Sequence, residues 1–214
     1  MSLSSAPAFP TQATGARLPV ARQPIWAAGG DLVGHEYLFR SRTGRAVGVD
    51  RWHDELQERA SASVLASVFS GGGPTSNHLA FVNVTRAFLT GERPLPAPDP
   101  RLVLEIVETV HADHHVLSGL SALRAAGYLI ALDDYVASAD QLAMLPFADF
   151  VKVDLRDLAG LPPHSLALAR CYGAALVAER VADEALRERA LDLEFDLLQG
   201  DELGAATTHT TQRA

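Results

Sequence analysis

Three segments between residues 102 and 154 decide the fold: Leu102-Val-Leu-Glu-Ile-Val-Glu108, Tyr128-Leu-Ile-Ala-Leu-Asp-Asp-Tyr135 and Phe150-Val-Lys-Val-Asp154. Each is an apolar run of strand length that carries or ends on charged groups. A helical pattern over 113–126 stops at Gly127 between the first two, and one over 137–145 stops at Pro146 before the third. Strand, helix and strand in repetition predict a parallel sheet. Leu104 and Ile106 flank Glu105, and Val151 and Val153 flank Lys152. Strand side chains alternate in direction, so the apolar neighbours face a helix layer and the polar residue faces the other way.

The same alternation runs outward in both directions. Strand-like runs cover 18–25, 32–39, 79–84, 175–178 and 195–198, and helical patterns cover 50–69, 165–172 and 182–191. Too few residues separate the first two strands for a crossover, so that pair is expected to be antiparallel. The pattern predicts an α/β fold, a TIM-like βα barrel with one antiparallel strand. The length of 214 residues is near the lower limit of ~200 for such a barrel. The expected organisation is a disordered leader over 1–17, a barrel domain over 18–203 and a flexible tail over 204–214. The Gly-rich run Ser70–Asn77 has no Gly-Lys-Ser/Thr ending, so it reads as a loop rather than a phosphate cradle.

Composition excludes several classes. A chain that is 48% hydrophobic and 21% charged is not disordered throughout. No apolar run approaches the ~20 residues of a membrane span. The net charge of −8 argues against a nucleic-acid polymer or an anionic membrane as partner. One cysteine, Cys171, rules out an intramolecular disulfide and fits a reducing cytoplasm. It is expected to be buried and inert in an apolar helix. His111-Ala-Asp-His-His115 reads as a solvated helix start rather than a zinc site.

Chemistry is expected at the C-terminal ends of the barrel strands. There the sequence places Glu36 and Arg40, Asn83, Glu105 and Glu108, Asp133 and Asp134, Lys152 and Asp154, Glu179 and Gln199. A charge that points into a barrel needs a partner or a metal. Glu36, Asn83, Glu105, Asp133 and Asp134 are all oxygen ligands, which suit Mg²⁺, Mn²⁺ or Ca²⁺. Four of them are carboxylates that could hold two ions and clamp a phosphodiester. Lys152 is the one lysine beside seventeen arginines, which reads either as a compositional drift of lysine to arginine or as a place that needs a compact ammonium. It could orient a water or stabilise developing negative charge. Asp154 could pair inside the barrel or touch the site.

These residues also carry a family resemblance. Gln23-Pro-Ile25 with Gly34-His-Glu-Tyr-Leu-Phe-Arg40 resembles the opening of EAL domains, the cyclic di-GMP phosphodiesterases, with Tyr37 in place of the signature alanine. Phe81-Val-Asn-Val-Thr85, Glu105-Ile-Val-Glu108, Leu132-Asp-Asp-Tyr135, Val151-Lys-Val-Asp154, Ala178-Glu-Arg-Val181 and Gln199-Gly200 follow in the family's order. The wording is most similar to the branch often fused to an HDOD domain, so regulation would come from a protein partner.

The resemblance implies metal-dependent cleavage of cyclic di-GMP to pGpG with two Mg²⁺ or Mn²⁺ ions. It assigns Glu36, Asn83, Glu105, Asp133 and Asp134 as metal ligands, with Lys152, Glu179 and Glu36 at the chemistry. Gln23, Leu38, Arg40 and Gln199 would meet the substrate, and Glu108 and Asp154 would support the site. Three departures from the family's pattern, one of them a shorter stretch between Lys152 and Glu179, point to low activity, or to a degenerate domain that senses the nucleotide or binds a protein. Tyr135-Val-Ala-Ser138 replaces Phe-Gly-x-Gly, and Ala178-Glu-Arg-Val-Ala182 replaces Ala-Glu-Gly-Val-Glu. Without glycine the first loop is expected to avoid positive φ and to be stiffer.

Overall fold

A computed structural model describes residues 19–49, 52–69 and 77–209. The expected leader over 1–17, nearly all of the 70–77 loop and residues 210–214 lie outside the described residues. Strands β1 (Val20–Ala27) and β2 (Leu32–Phe39) form the expected antiparallel hairpin. The strands that follow are β3 (Leu79–Val84), β4 (Leu102–Ile106), β5 (Leu129–Leu132), β6 (Phe150–Asp154), β7 (Ala175–Glu179) and β8 (Leu197–Leu198). They run parallel to β2 and to one another in that order, and β8 closes the ring by antiparallel pairing with β1.

The helices between strands are α1 (Asp54–Phe69), α2 (Arg86–Leu89), α3 (His114–Ala126), α4 (Ala139–Met144), α5 (Ser165–Cys171) and α6 (Glu184–Asp192). Their boundaries follow local chemistry. Asp113 caps α3 by accepting from the Val116 amide at 3.0 Å, and Gly127 ends it in the left-handed region. Asp183 caps α6 in the same way through the Leu186 amide. None of these helices is long and apolar enough to cross a membrane.

Alternation builds two separate cores. Leu102, Leu104, Ile106, Ile130, Leu132, Val151, Val153, Leu176 and Ala178 point outward and are buried with Val116 and Leu120 of α3. Ile25, Phe81, Val103, Ala131, Val177 and Leu197 point inward and fill the barrel floor. Each buried apolar side chain of this kind contributes ~1.5–3 kcal/mol. Two residues further toward the open end, the same strands carry Gln23, Asn83, Glu105, Asp133, Glu179 and Gln199. The polar layer therefore rests directly on a dry floor.

The fold differs from the expectation in two places. Thr207–His209, placed by the sequence in a frayed tail, form strand β9, which pairs antiparallel with Val20–Arg22. The short β8 reaches only Trp26 and Ala27, so the other half of that β1 edge is left for β9. Cys171 is exposed rather than buried, because α5 turns Ser165 and Ala169 inward instead.

Gly119 of α3 lies against the backbone of α2. A Cβ placed there would sit 1.9 Å from the Leu89 carbonyl oxygen. Helix propensity alone favours Gly119→Ala by ~1 kcal/mol, whereas overpacking costs ~1–3 kcal/mol or more against rigid backbone. The clash is expected to win. Gly119→Ala should lower Tm in thermal unfolding, and a raised Tm would contradict this packing.

Candidate active site

Lys152 occupies the centre of the polar layer and is almost completely buried. Its Nζ lies 2.6 Å from Glu105 Oε1, 2.8 Å from Glu179 Oε1, 3.2 Å from Asp133 Oδ1 and 3.6 Å from Glu36 Oε2. Four carboxylates from β2, β4, β7 and the end of β5 thus converge on one ammonium from β6. Around Glu36 the amides complete the layer. Asn83 Nδ2 donates to Glu36 Oε1 at 3.2 Å, and Gln199 Nε2 donates to Glu36 Oε2 at 2.6 Å and to Gln23 Oε1 at 3.2 Å.

One positive charge among four carboxylates leaves the layer short of cations. Burial pushes the Glu105 carboxyl well above its usual range; Lys152 opposes this, and Glu36, Asp133 and Glu179 add to it. Burial likewise drives Glu179 up to about 8, against Lys152 and with Asp133 and Glu36. Burial would lower the Lys152 pKa, but Asp133, Glu105, Glu179 and Glu36 outweigh it and hold the ammonium charged.

The structure divides the expected metal ligands into two groups. Glu36 and Glu105 lie with Asp133 around Lys152, and Asn83 joins them through Glu36. Asp134 lies instead with Asp133 and Glu108, whose ligand oxygens all fall within 4.8 Å of one another. Glu108, expected as a supporting residue, is therefore one of the clustered carboxylates, and Asp133 belongs to both groups. Burial, then Asp133 and Glu108, push the Asp134 carboxyl up to about 6. Among the described residues, Glu105 Oε2 and Gln199 Oε1 are buried with no hydrogen-bond partner. Buried acceptors without donors, beside clustered carboxylates, fit hard divalent cations.

The loop after Asp133 does not avoid positive φ. Asp134 has φ +40° and Ala137 has φ +56°, so the expectation for a glycine-free loop is corrected. Gln141 holds this shape. Its Nε2 donates to the carbonyls of Asp133 and Asp134 at 3.2 and 3.1 Å, and its Oε1 accepts from the amides of Val136 and Ser138 at 2.9 and 3.2 Å. Gln141 is buried and was not among the expected site residues. Its signal was legible as the capping box Ser138-x-x-Gln141 that starts α4.

A cleft of about 290 Å³ opens above the layer, lined by Glu36, Leu38, Arg40, Asn83, Asp133 and Asp134 among others. Leu38 and Arg40, the residues expected to meet the substrate, both line this cleft. Gln23 does not line the cleft but turns toward Gln199 beside it. Asp154 is buried and pairs with Arg156 and Arg180. Burial would raise its pKa, but the hydrogen bonds from Arg156 outweigh that and hold it low.

Comparisons with known proteins agree with this geometry. The EAL domain model matches residues 81–206, more than half of the chain. The cyclic di-GMP phosphodiesterase CdgJ of Vibrio cholerae is 33% identical over 140 residues, which are 64% of this chain and 31% of that protein. The uncharacterized protein YuxH of Bacillus subtilis is 25% identical over 193 residues, or 86% of this chain and 46% of YuxH. The chain therefore spans less than half of either of these relatives, 31% of one and 46% of the other. The crystal structure of the Bacillus subtilis YkuI protein, in complex with c-di-GMP and calcium, superposes with a TM-score of 0.68. It is 22% identical, and the match covers 91% of this chain and 55% of YkuI. With the family's model running from within β3 to beyond β8 and the barrel shared with YkuI, this chain belongs to the EAL domain family.

Proposed function

We propose that this EAL domain hydrolyses cyclic di-GMP to pGpG with two Mg²⁺ or Mn²⁺ ions. The observation that carries this reading is the carboxylate layer closed around one buried lysine beneath an open cleft. Bound divalent ions would neutralise phosphoryl oxygens and lower the pKa of a bound water. Glu36, Asn83, Glu105, Asp133 and Asp134 would hold them, with Glu108 beside Asp134.

The chain's own groups supply the rest. Gln199 donates to Glu36 and fixes which way that carboxylate faces. Lys152 would donate a hydrogen bond to charge developing on the attacked phosphate. Glu179, 2.8 Å from Lys152 Nζ, would belong to the acidic network that positions the attacking water and that ammonium. Arg40 would pair with a substrate phosphate, Leu38 would flank a base, and Gln23 would act through Gln199. Asp154 would keep the arginines at the mouth in place. A cytoplasmic location fits the single cysteine, and a protein partner would supply regulation.

Purified protein given cyclic di-GMP and Mn²⁺ should yield pGpG by chromatography, and excess EDTA should abolish it. Binding without product would favour the sensor reading, for which the replaced Phe-Gly-x-Gly loop is the motive. Full turnover in EDTA would contradict the two-ion mechanism.

Lys152→Arg keeps the charge but replaces a point donor with a wide planar fork. It should lower turnover by ~10²–10³, the usual loss for one transition-state donor. Wild-type turnover in this variant would show that a compact ammonium is not required.

Metal-free stability should depend on pH in a definite direction. Glu179 binds its proton more tightly when folded, about 8 against the ordinary 4.5. Between those values the native state holds more protons than the unfolded chain, so stability falls as pH rises. His35 acts oppositely, because burial and then Arg22 lower its pKa to about 4, but at its ordinary value of 6.5 that slope has halved and it fades above, so Glu179 dominates. From pH 6.5 to 8 the Tm of the EDTA-treated protein should therefore fall. Saturating Mn²⁺ should remove the fall. A Tm that rises over this range without metal would contradict the raised carboxyl pKa.

A further inference from the structure

Arg180 directly follows Glu179 at the end of β7 and carries a backbone φ of +54°. That region is disfavoured for any residue with a Cβ, and the EAL wording quoted above has glycine at this position. An arginine kept on a backbone that favours glycine calls for a side-chain role. The side chain lines the same cleft as Arg40 and is 61% exposed. Its Nε lies 2.9 Å from Oδ2 of Asp154, a carboxylate only 4% exposed. Asp154 is the one ion-pair partner found for Arg180 among the described residues, and it engages the guanidinium from one side. A guanidinium that served only to neutralise Asp154 would be redundant, because Arg156 already grips both oxygens of that carboxylate at 3.0 Å through its Nε.

Arg40 ends β2 and Arg180 ends β7, separated around the ring by β8 and β1. Two guanidinium groups therefore face one cleft from different walls, with the carboxylate layer beneath them. A cyclic dinucleotide presents two phosphates. We propose that Arg180 binds a phosphate of the substrate, the second one of cyclic di-GMP, while Asp154 aims its guanidinium into the cleft. This rests on the proposed function and adds a substrate contact that the glycine of the family's wording cannot make. The planar fork and fixed charge of arginine suit a phosphate.

The test is calorimetric binding of cyclic di-GMP to the whole chain with Ca²⁺, at low and high salt, for wild type, Arg180→Gly and Arg180→Asn. Both replacements tolerate positive φ, so Tm should hold or rise. The dissociation constant should increase about tenfold, as expected for losing one partly exposed charge-assisted contact. Its salt dependence should become shallower. Unchanged affinity in both variants overturns this inference alone. A fall in Tm with unaltered salt dependence makes Arg180 a clamp on Asp154 and also overturns it. No binding by wild type overturns the proposed function, and this inference with it.

Discussion

Four carboxylates meet one ammonium at the mouth of this barrel, and most of the architecture answers to that encounter. Lys152 Nζ reaches Glu105, Glu179, Asp133 and Glu36 within 3.6 Å. Removing a partner from such a buried set leaves uncompensated charge, a loss of ~3–5 kcal/mol for an ordinary buried pair. The ammonium is small enough to touch all four, whereas a guanidinium would spread its donors over a plane. This gives a physical reason for one lysine in a chain with seventeen arginines. Yet one positive charge does not balance four negative ones. The remainder appears as raised carboxyl pKa values and as unpartnered buried acceptors on Glu105 and Gln199. Both features favour the entry of further cations.

Such a layer can exist only because the strands beneath it are rigid. The inward apolar residues Ile25, Phe81, Val103, Ala131, Val177 and Leu197 pack into a floor, and strand register carries that order up to the polar residues. Asn83 pairs in register with Glu105, and Asp154 with Glu179. Of the five non-glycine residues with positive φ among the described residues, Asp134, Ala137 and Arg180 follow the ends of β5 and β7 at the mouth. Strained residues persist where their surroundings over-determine them. Gln141 does this for Asp134 and Ala137 through four hydrogen bonds to the 133–138 segment. A loop without glycine thus keeps a glycine-like shape.

The barrel and its polar layer were legible because strand alternation is a strong signal. Glu105 between Leu104 and Ile106, and Lys152 between Val151 and Val153, could point only one way once the strands were recognised. What escaped the reading has weaker signals. Strand β9 is Thr207-Thr-His209, exposed throughout, and is joined to β1 by backbone pairing that leaves no apolar pattern. Cys171 sits in a helix too short for periodicity to decide its face. The grouping of Glu108 with Asp134 depends on how the chain turns after β4 and β5, and spacing along the sequence does not encode that turn. Arg180 was visible as a departure from the family's wording, but its place in the cleft follows from three-dimensional geometry alone.

The central claim is that the carboxylate layer holds protons that divalent cations displace. Calorimetric titration of Mn²⁺ at pH 7, repeated in buffers of different ionisation enthalpy, measures this directly. The account predicts Mn²⁺ binding with net release of protons, because burial raises the Glu179 pKa to about 8 and shifts Glu105 in the same direction without metal. Mn²⁺ binding with no proton release, or no binding at all, would contradict it.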